Sequence, residues 1–241
     1  MVSQLERYAL ITGASSGIGK ATALAFAQAG IHLALVSRTQ SKLEAVAATA
    51  AAYGVTVRCY PVDLLEVEHV QTKIATIAAS FGPIDILVNN AGMGYTATLA
   101  KTPLADWQRV LTLNLTSVFQ CIQGILPAMR DRQQGTIINV SSIAGQQVFP
   151  EWGAYCVSKF GLVALSKTLA AEERYNGIRI VTISPGSVNT PIWDTETVHA
   201  DFDRASMLTP ETVAQSILYA ALLPQEAVIE DLTLMSNVGA L

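Results

Sequence analysis

Three glycines, at positions 13, 17 and 19, constrain this chain more than any other feature of its sequence. They follow a short apolar run, Tyr8 to Thr12, and precede an Ala-rich segment, Lys20 to Gly30. The pattern predicts a strand, a glycine turn and a helix. Glycine lets a backbone approach a pyrophosphate closely, and a helix N-terminus supplies amide donors and the positive end of the helix dipole. The stretch therefore predicts the first half of a nucleotide-binding βαβ unit.

The glycine spacing distinguishes this turn from other phosphate-binding loops. A P-loop needs four residues between its glycines and a Ser or Thr after its Gly-Lys pair. Here five residues lie between Gly13 and Gly19, and Ala21 follows Lys20, so both requirements of a nucleoside triphosphatase fail. The spacing also differs from the Gly-x-Gly-x-x-Gly of many dinucleotide enzymes. A turn that only joins a strand to a helix stays open as the alternative.

The end of the second predicted strand, His32 to Val36, indicates which dinucleotide would bind. A carboxylate about 20 residues beyond the glycines would accept hydrogen bonds from the ribose hydroxyls of NAD and repel a 2′-phosphate. Ser37 and Arg38 occupy that point instead, and the first acid afterwards is Glu44. The local charge therefore favours NADP(H), the alternative being that Arg38 is a solvated surface charge.

A second group of reactive side chains lies between Ser142 and Lys159. Tyr155 and Lys159 are four residues apart, which places them on one helix face, one turn apart. The ammonium would favour the phenolate and lower the pKa of Tyr155, which predicts a usable proton donor. A hydroxyl at Ser142, at the end of a predicted strand, could bond the oxygen whose charge changes. The Tyr-x-x-x-Lys spacing alone would equally fit a solvated helix face.

A third motif joins these two. Ile84 to Val88 predicts a fourth strand, and Asn89-Asn90-Ala91-Gly92 follows it directly. With Thr12-Gly13-x-x-x-Gly17-x-Gly19 before it and Tyr-x-x-x-Lys after it, the chain resembles the short-chain dehydrogenase/reductase family, in its ordinary non-extended branch, from about Tyr8 to Met235. The resemblance implies one α/β domain over residues 1–241, with a doubly wound, Rossmann-like sheet of about seven parallel strands flanked by helices.

The resemblance also implies roles for individual residues. The active serine of the family lies thirteen residues before its tyrosine, so Ser142 matches and Ser141 is its neighbour. Tyr155 would exchange a proton with the substrate oxygen, and Ser142 would bond that oxygen. Lys159 would bind the nicotinamide ribose, and Asn114 would hold a water that resupplies the proton. The implied cofactor contacts are Gly13, Ser15, Ser16, Gly17, Ile18, Gly19, Ser37, Arg38, Asp63, Leu64, Asn90, Ala91, Gly92, Tyr155, Lys159, Pro185, Gly186, Val188 and Thr190.

The implied reaction is hydride transfer between NADP(H) and a small-molecule carbonyl or alcohol. Ser142 and Tyr155 would contact the substrate, and the segment Ile192 to Thr209 is interpreted as a lid over it. The other predicted pocket residues are mainly apolar: Met93, Tyr95, Ile143, Phe149, Trp152, Ser187 and Trp193. A general carbonyl reductase, a 3-oxoacyl carrier-protein reductase and a 3-hydroxy acid dehydrogenase all stay open. A sensor or assembly protein that binds NADP(H) without catalysis is the non-enzyme alternative.

Charge and composition limit the partners and the location. The net charge is -4 and Lys and Arg form no cluster, which argues against nucleic acid and acidic membranes as partners. Three Cys and three His, all scattered, lack the spacing of metal ligands. Met1 to Tyr8 contains no apolar signal core, and no run of about 18 apolar residues follows, so we expect a soluble cytoplasmic protein.

An apolar surplus predicts self-association. Hydrophobic residues make up 51% of the chain and charged residues only 14%, against about 25% in an average soluble domain. Sheets buried on both faces account for part of this surplus. The helices predicted at Pro103 to Arg132 and Ala154 to Tyr175 still carry more apolar residues than one sheet face needs. We therefore expect a homo-oligomer, a dimer or a tetramer.

Overall fold

Seven parallel strands form one sheet in the order β3-β2-β1-β4-β5-β6-β7. The computed structural model describes residues 6–200 and 202–238. The strands are β1 (Tyr8–Thr12), β2 (His32–Ser37), β3 (Val57–Pro61), β4 (Ile86–Asn89), β5 (Gly135–Val140), β6 (Ile178–Pro185) and β7 (Asp231–Leu234). The helices are α1 (Gly17–Gln28), α2 (Gln40–Ala51), α3 (Val67–Phe81), α4 (Leu104–Leu111), α5 (Ser117–Arg132), α6 (Gly153–Glu173) and α7 (Pro210–Leu222). The predicted single-domain, doubly wound architecture is confirmed.

Helices cover both faces of the sheet, which is why its central strands are buried and mostly apolar. On one face Phe26 of α1, Leu43 of α2 and Ile217 of α7 share a buried cluster with the sheet. On the other, Ile74 of α3 and Ile125 of α5 belong to a second cluster, together with residues of α6. Every residue of β5 is buried, as a strand covered on both faces requires.

The strand order reverses between β1 and β4, and this reversal locates the site. These neighbours pair from Ala9 opposite Ile86 to Ile11 opposite Val88. Their crossover connections run in opposite directions, toward β2 on one side and β5 on the other. The loops after them separate, and a crevice opens at the carboxyl ends of the strands.

Several predicted boundaries need correction. The first helix begins at Gly17, not Lys20, so two of the three motif glycines lie in its first turn. After β3, α3 begins only at Val67, because the Asp63 carboxylate accepts a hydrogen bond from Leu65 N at 2.9 Å and forms a turn. The helix predicted over 103–132 contains a π-helical turn, Thr112–Thr116, between α4 and α5.

By length and composition, the continuous helical segment Leu104–Arg132 could cross a membrane. Its apolar residues, however, include Val118, Ile122 and Ile125, which are buried against α3 and the sheet. This is the pattern of a core helix. The predictions that concern Met1 to Leu5, Asp201 and the last three residues lie outside the described part of the chain.

Candidate active site

The crevice begins where the loops after β1 and β4 meet. The Asn90 side-chain amide donates to Thr12 O at 3.1 Å and to Gly13 O at 3.3 Å. The Thr12 hydroxyl accepts from the backbone amides of Asn90 and Ala91 at 3.0 and 3.1 Å. Gly13 has φ of 64°, and a Cβ there would lie 2.8 Å from Ala91 Cα, so only glycine fits. These contacts hold together the loops after β1 and β4.

A large cleft of about 680 Å³ opens above this junction. It is lined by most of the predicted cofactor residues: Gly13, Ser15, Ser16, Gly17, Ile18, Ser37, Arg38, Asp63, Leu64, Asn90, Ala91, Gly92, Tyr155, Lys159 and Thr190. Gly19 does not line it, because it is buried against Gly13 and Asn90. Pro185, Gly186 and Val188 line the adjoining pocket instead. The cleft also contains Lys42 and Arg109, which the sequence reasoning did not select.

One end of the cleft has the character of a phosphate site. The Ser37 hydroxyl is buried there, and it finds no hydrogen-bond partner among the described residues. An unpaired buried hydroxyl costs about 1–3 kcal/mol, a cost that a hydrogen bond to a ligand in the cleft would remove. The exposed Arg38 and Lys42 stand beside it. Ser16 precedes α1 without a side-chain cap, so the first amides of that helix are also available to an anion.

Asn114 lies in the π-helical turn and fastens the loop after β4. Its carbonyl oxygen accepts from Met93 N, and its amide donates to Met93 O, both at 2.9 Å. The second amide hydrogen goes to Ser158 Oγ at 3.1 Å. Both donors are thus used inside the chain, so a water held by this side chain could only donate to Oδ1. The first effect of Asn114 is therefore to position Gly92 and Met93.

Lys159 is 5% exposed and lies under Gly92. Its ammonium donates to Val140 O at 2.9 Å and sits 5.7 Å from the centre of the Tyr155 ring. A Cβ on Gly92 would lie 3.8 Å from that ammonium and 3.2 Å from Asn114 Oδ1. The glycine therefore leaves the space through which a ligand could reach both groups.

The predicted direction of the Tyr155 pKa is wrong in this structure. Burial raises the pKa of Tyr155 to about 12, and the hydrogen bond with Ser142 acts in the opposite direction but is smaller. Burial also lowers the pKa of Lys159 to about 8. Desolvation disfavours the charged form of each group and outweighs the attraction that their helical spacing suggested. Tyr155 is accordingly a neutral phenol, which is the form that can donate a proton.

Both neighbouring serines line the pocket, but only Ser142 acts on the proton donor, where it opposes the rise in the pKa of Tyr155. The Ser142 hydroxyl accepts from Ala144 N at 3.1 Å at the start of a short 3-10 turn. Ser141 is 3% exposed, and its hydroxyl points to Lys159 O at 3.4 Å. The choice made by counting back from Tyr155 agrees with this placement.

A smaller pocket of about 130 Å³ adjoins the cleft, and Tyr155 lines both. Of the predicted substrate residues it contains Ser142, Ile143, Phe149, Trp152, Tyr155, Ser187 and Trp193. Met93 lies in the large cleft instead. Tyr95 is buried, and its hydroxyl bonds Asp106 at 3.1 Å. Phe202 completes the pocket; it lies in the poorly patterned lid segment, where no periodicity marked it.

Comparison with known proteins agrees with this geometry. The sequence model of the family described as short chain dehydrogenase matches residues 7–200. A 3-oxoacyl-[acyl-carrier-protein] reductase of Synechocystis is 34% identical over 245 residues, covering 99% of this chain and 98% of that protein. A glycine betaine reductase of Emericella nidulans is 33% identical over 232 residues; these cover 94% of this chain but only 18% of that protein.

A solved structure shares nearly the whole fold. It is an alcohol dehydrogenase from the archaeon Thermococcus sibiricus, complexed with 5-hydroxy-NADP. The TM-score is 0.88 at 28% sequence identity, covering 96% of this chain and 97% of that chain.

The buried ammonium generates a stability prediction. We expect Lys159→Met to raise the free energy of unfolding at pH 7 by about 1–3 kcal/mol, because methionine removes the cost of desolvating a charge. The folded pKa of about 8 lies below the ordinary 10.5, so the folded chain binds fewer protons between these values. The advantage of methionine should therefore be full below pH 8 and fade as the pH rises to about 10.5. Urea unfolding at pH 7 and pH 10 measures it.

Lys167→Met is the matched control. Lys167 lies on the same helix with its side chain 66% exposed, so its replacement should change the unfolding free energy by less than about 0.5 kcal/mol. A Lys159→Met protein that is less stable than the wild type at pH 7 would contradict the argument.

Proposed function

Because this chain belongs to the short-chain dehydrogenase family, we propose that it is an NADP(H)-dependent alcohol dehydrogenase or carbonyl reductase. It would reduce the carbonyl of a small molecule to an alcohol, and catalyse the reverse oxidation. The observation that carries this proposal is the position of Tyr155, which lines both the large cleft and the smaller pocket. A proton donor at that boundary is in reach of a substrate in the pocket and a cofactor in the cleft.

The side chains around Tyr155 supply complementary functions. Its neutral phenol donates the proton to the carbonyl oxygen, and the Ser142 hydroxyl hydrogen-bonds the same oxygen as negative charge develops on it. Lys159 places a positive charge under the ring, where it stabilises the phenolate that remains. When bound, the nicotinamide cofactor supplies or accepts the hydride.

Asn114 and Lys159 also serve the cofactor side of the site. Lys159 is in reach of a ribose hydroxyl through the space that Gly92 leaves open. Asn114 keeps that loop in place, and its free carbonyl lone pair can accept from a water that returns a proton toward Tyr155. The water is inferred from the family and from the remaining acceptor, and it is part of the proposal.

The preference for NADP(H) over NAD(H) rests on the far end of the cleft. A 2′-phosphate would accept hydrogen bonds from Ser37 and Arg38, and Lys42 adds a second positive charge. Asp63 also lines the cleft, and one of its carboxylate oxygens accepts a hydrogen bond from Leu65 N. The Thermococcus structure, described as a complex with 5-hydroxy-NADP, supports the same proposal.

Two related activities stay as alternatives. The Synechocystis relative favours a 3-oxoacyl carrier-protein reductase, and a 3-hydroxy acid dehydrogenase would use the same catalytic groups. A carrier protein is acidic and its thioester long, whereas this chain has a net charge of -4 and the pocket holds about 130 Å³. A small free carbonyl compound therefore fits better.

We also propose that the protein forms a homo-oligomer in the cytoplasm. Phe119 on α5 and Val157 and Phe160 on α6 are 41%, 45% and 40% exposed. These apolar side chains stand on two long helices, where an equivalent surface of a second copy could cover them.

Tyr155→Phe tests the mechanism. We expect turnover of NADPH with a panel of ketones, aldehydes and oxoesters to fall by about 10²–10⁴-fold, because the proton donor is lost. NADPH binding, followed by its fluorescence, should change by less than about twofold, since the ring stays in place. Tyr60→Phe, on strand β3 and outside both cavities, is the control and should keep full turnover. Full turnover in Tyr155→Phe would refute the assignment.

Arg38→Ala tests the cofactor. Loss of a charge-assisted bond to phosphate should weaken NADPH binding by about 10- to 100-fold and leave NADH binding unchanged. Fluorescence titration of each nucleotide measures this without turnover. Lys20→Ala removes an exposed cation of α1 that does not line the cleft, and should leave both affinities unchanged. Equal affinity of the wild type for both nucleotides, unaltered in Arg38→Ala, would overturn the preference.

Light scattering tests the assembly. Protein recovered without detergent should have the mass of two or four chains at micromolar concentration, and Phe160→Asp should shift it toward one chain, because a carboxylate would be desolvated in the interface. Asp in place of the exposed Tyr53 on the far side of the sheet is the control. A wild-type monomer, or protein found only with membranes, would contradict this part of the proposal.

A further inference from the structure

Four aromatic rings form one continuous series beside the proton donor. Trp152 contacts Tyr155 with ring centres 5.4 Å apart, and it contacts Trp193 at 5.8 Å. Trp193 in turn contacts Phe202 at 5.3 Å. The interplanar angles lie between 68° and 82°, so each pair meets edge to face. Tyr155, Trp152, Trp193 and Phe202, together with Phe149, are called the aromatic pocket below.

These walls are held in place before any ligand arrives. The Trp193 indole donates to Val188 O at 2.8 Å. Arg204 ties the lid to the loop after β6 through Asn189 Oδ1 and Thr190 O, at 2.9 and 3.0 Å. The backbone amide of Thr96 donates to Thr197 O at 2.9 Å, which fixes the other end of the lid. A preorganised surface loses little entropy on binding, so its shape selects the ligand.

The position of Trp152 has a cost that points to function. Glu151, just before it, has φ of 67°, a left-handed conformation that costs a non-glycine residue about 1–2 kcal/mol. Ala97 N donates to Glu151 O at 2.7 Å and holds this turn in place. Such strain persists where the surroundings impose it, and here it turns the Trp152 ring toward Tyr155.

The aromatic pocket also excludes charge and bulk. None of its described lining residues is charged, and besides Tyr155 its lining hydroxyls belong to Ser141, Ser142, Ser187 and Thr190. A carboxylate or phosphate would therefore enter without a partner, at a large desolvation cost. The volume of about 130 Å³ is small beside the ~300–1,000 Å³ of pockets for drug-sized ligands.

Resting on the proposed carbonyl reduction, we propose that the substrate is a small, uncharged aryl ketone, or the matching secondary alcohol in the reverse direction. Its flat ring lies against Trp193 and Trp152, and its carbonyl oxygen faces Tyr155 and Ser142. In the reduction, the carbonyl carbon gains a hydride and its two electrons from NADPH, which becomes NADP⁺. The oxygen gains the proton of Tyr155, so atoms and electrons balance.

Three methyl ketones test separately how the ring shape and the charge of the substrate affect kcat/KM. We expect acetophenone to be reduced with kcat/KM about 3- to 10-fold above that of cyclohexyl methyl ketone, since a ring stacked on aromatic walls gains beyond its buried area. 4-Acetylbenzoate should lose at least about 100-fold against acetophenone, because its carboxylate has no partner. Equal values for the phenyl and cyclohexyl compounds, or for the charged and uncharged ones, would overturn the proposal.

Two variants of Trp193 test whether its flat ring causes the preference for the phenyl ketone. Trp193 does not touch Tyr155 directly, and both Trp193→Phe and Trp193→Leu remove its indole hydrogen bond, so the two differ mainly in the flat ring. Trp193→Phe should keep the phenyl-over-cyclohexyl ratio within about twofold, while Trp193→Leu should reduce it to about one. Trp107→Phe, outside the pocket, is the control and should keep the ratio unchanged.

Binding without turnover separates this inference from the proposed reaction. Acetophenone and NADP⁺ are both oxidised and cannot react, so calorimetry of the NADP⁺-loaded protein measures affinity alone. Trp193→Leu should weaken acetophenone binding by about 3- to 10-fold. Turnover of aliphatic ketones without phenyl selectivity would leave the reaction standing and refute the substrate class. Selective binding of acetophenone without turnover of any carbonyl would refute the reaction and retain the site.

Discussion

The fold is organised around a buried ammonium. Lys159 is 5% exposed, and the strand and loop groups around it compensate only part of the cost of taking its charge out of water. Val140 O at the end of β5 accepts a hydrogen bond from the ammonium, and the pairing of β4 with β1 brings Gly92 over it. A chain optimised for stability alone would place an apolar residue here. The surrounding sheet, buried on both faces, supplies the stability that tolerates this charge.

Irregular backbone collects around the same point. The π-helical turn at Thr112–Thr116 places Asn114 against Met93, Gly13 adopts φ of 64° beneath Ala91, and Glu151 adopts φ of 67° before Trp152. The first fixes the loop after β4, the second lets that loop meet the loop after β1, and the third brings the Trp152 ring against Tyr155. The strands beneath them are regular, so a rigid sheet supports these local departures from regular backbone.

The sequence predicted the elements that repeat and the residues that form motifs. Strands such as Ile84 to Val88 are mostly apolar runs, and counting back from Tyr155 selected Ser142, whose catalytic role stays a prediction. The burial of a side chain, and the pKa shift that burial causes, could not be predicted from the sequence. Helical spacing places Tyr155 and Lys159 together but says nothing of their burial, so the predicted pKa shift of Tyr155 had the wrong sign. Phe202 lies in a segment without a helical or strand pattern. Its place in the pocket therefore becomes visible only in the folded lid.

The two cavities that adjoin at Tyr155 differ in the charge of their lining residues, so they suit different ligands. The large cleft is polar and open, with Arg38 and an unpaired Ser37 hydroxyl at its far end, and it can bind an anionic ligand through charge. None of the described residues that line the aromatic pocket is charged, so the pocket can select its ligand only by shape. We therefore expect an anionic molecule to bind in the cleft and not in the aromatic pocket. Tyr155, a neutral phenol, lies where the cleft and the aromatic pocket adjoin.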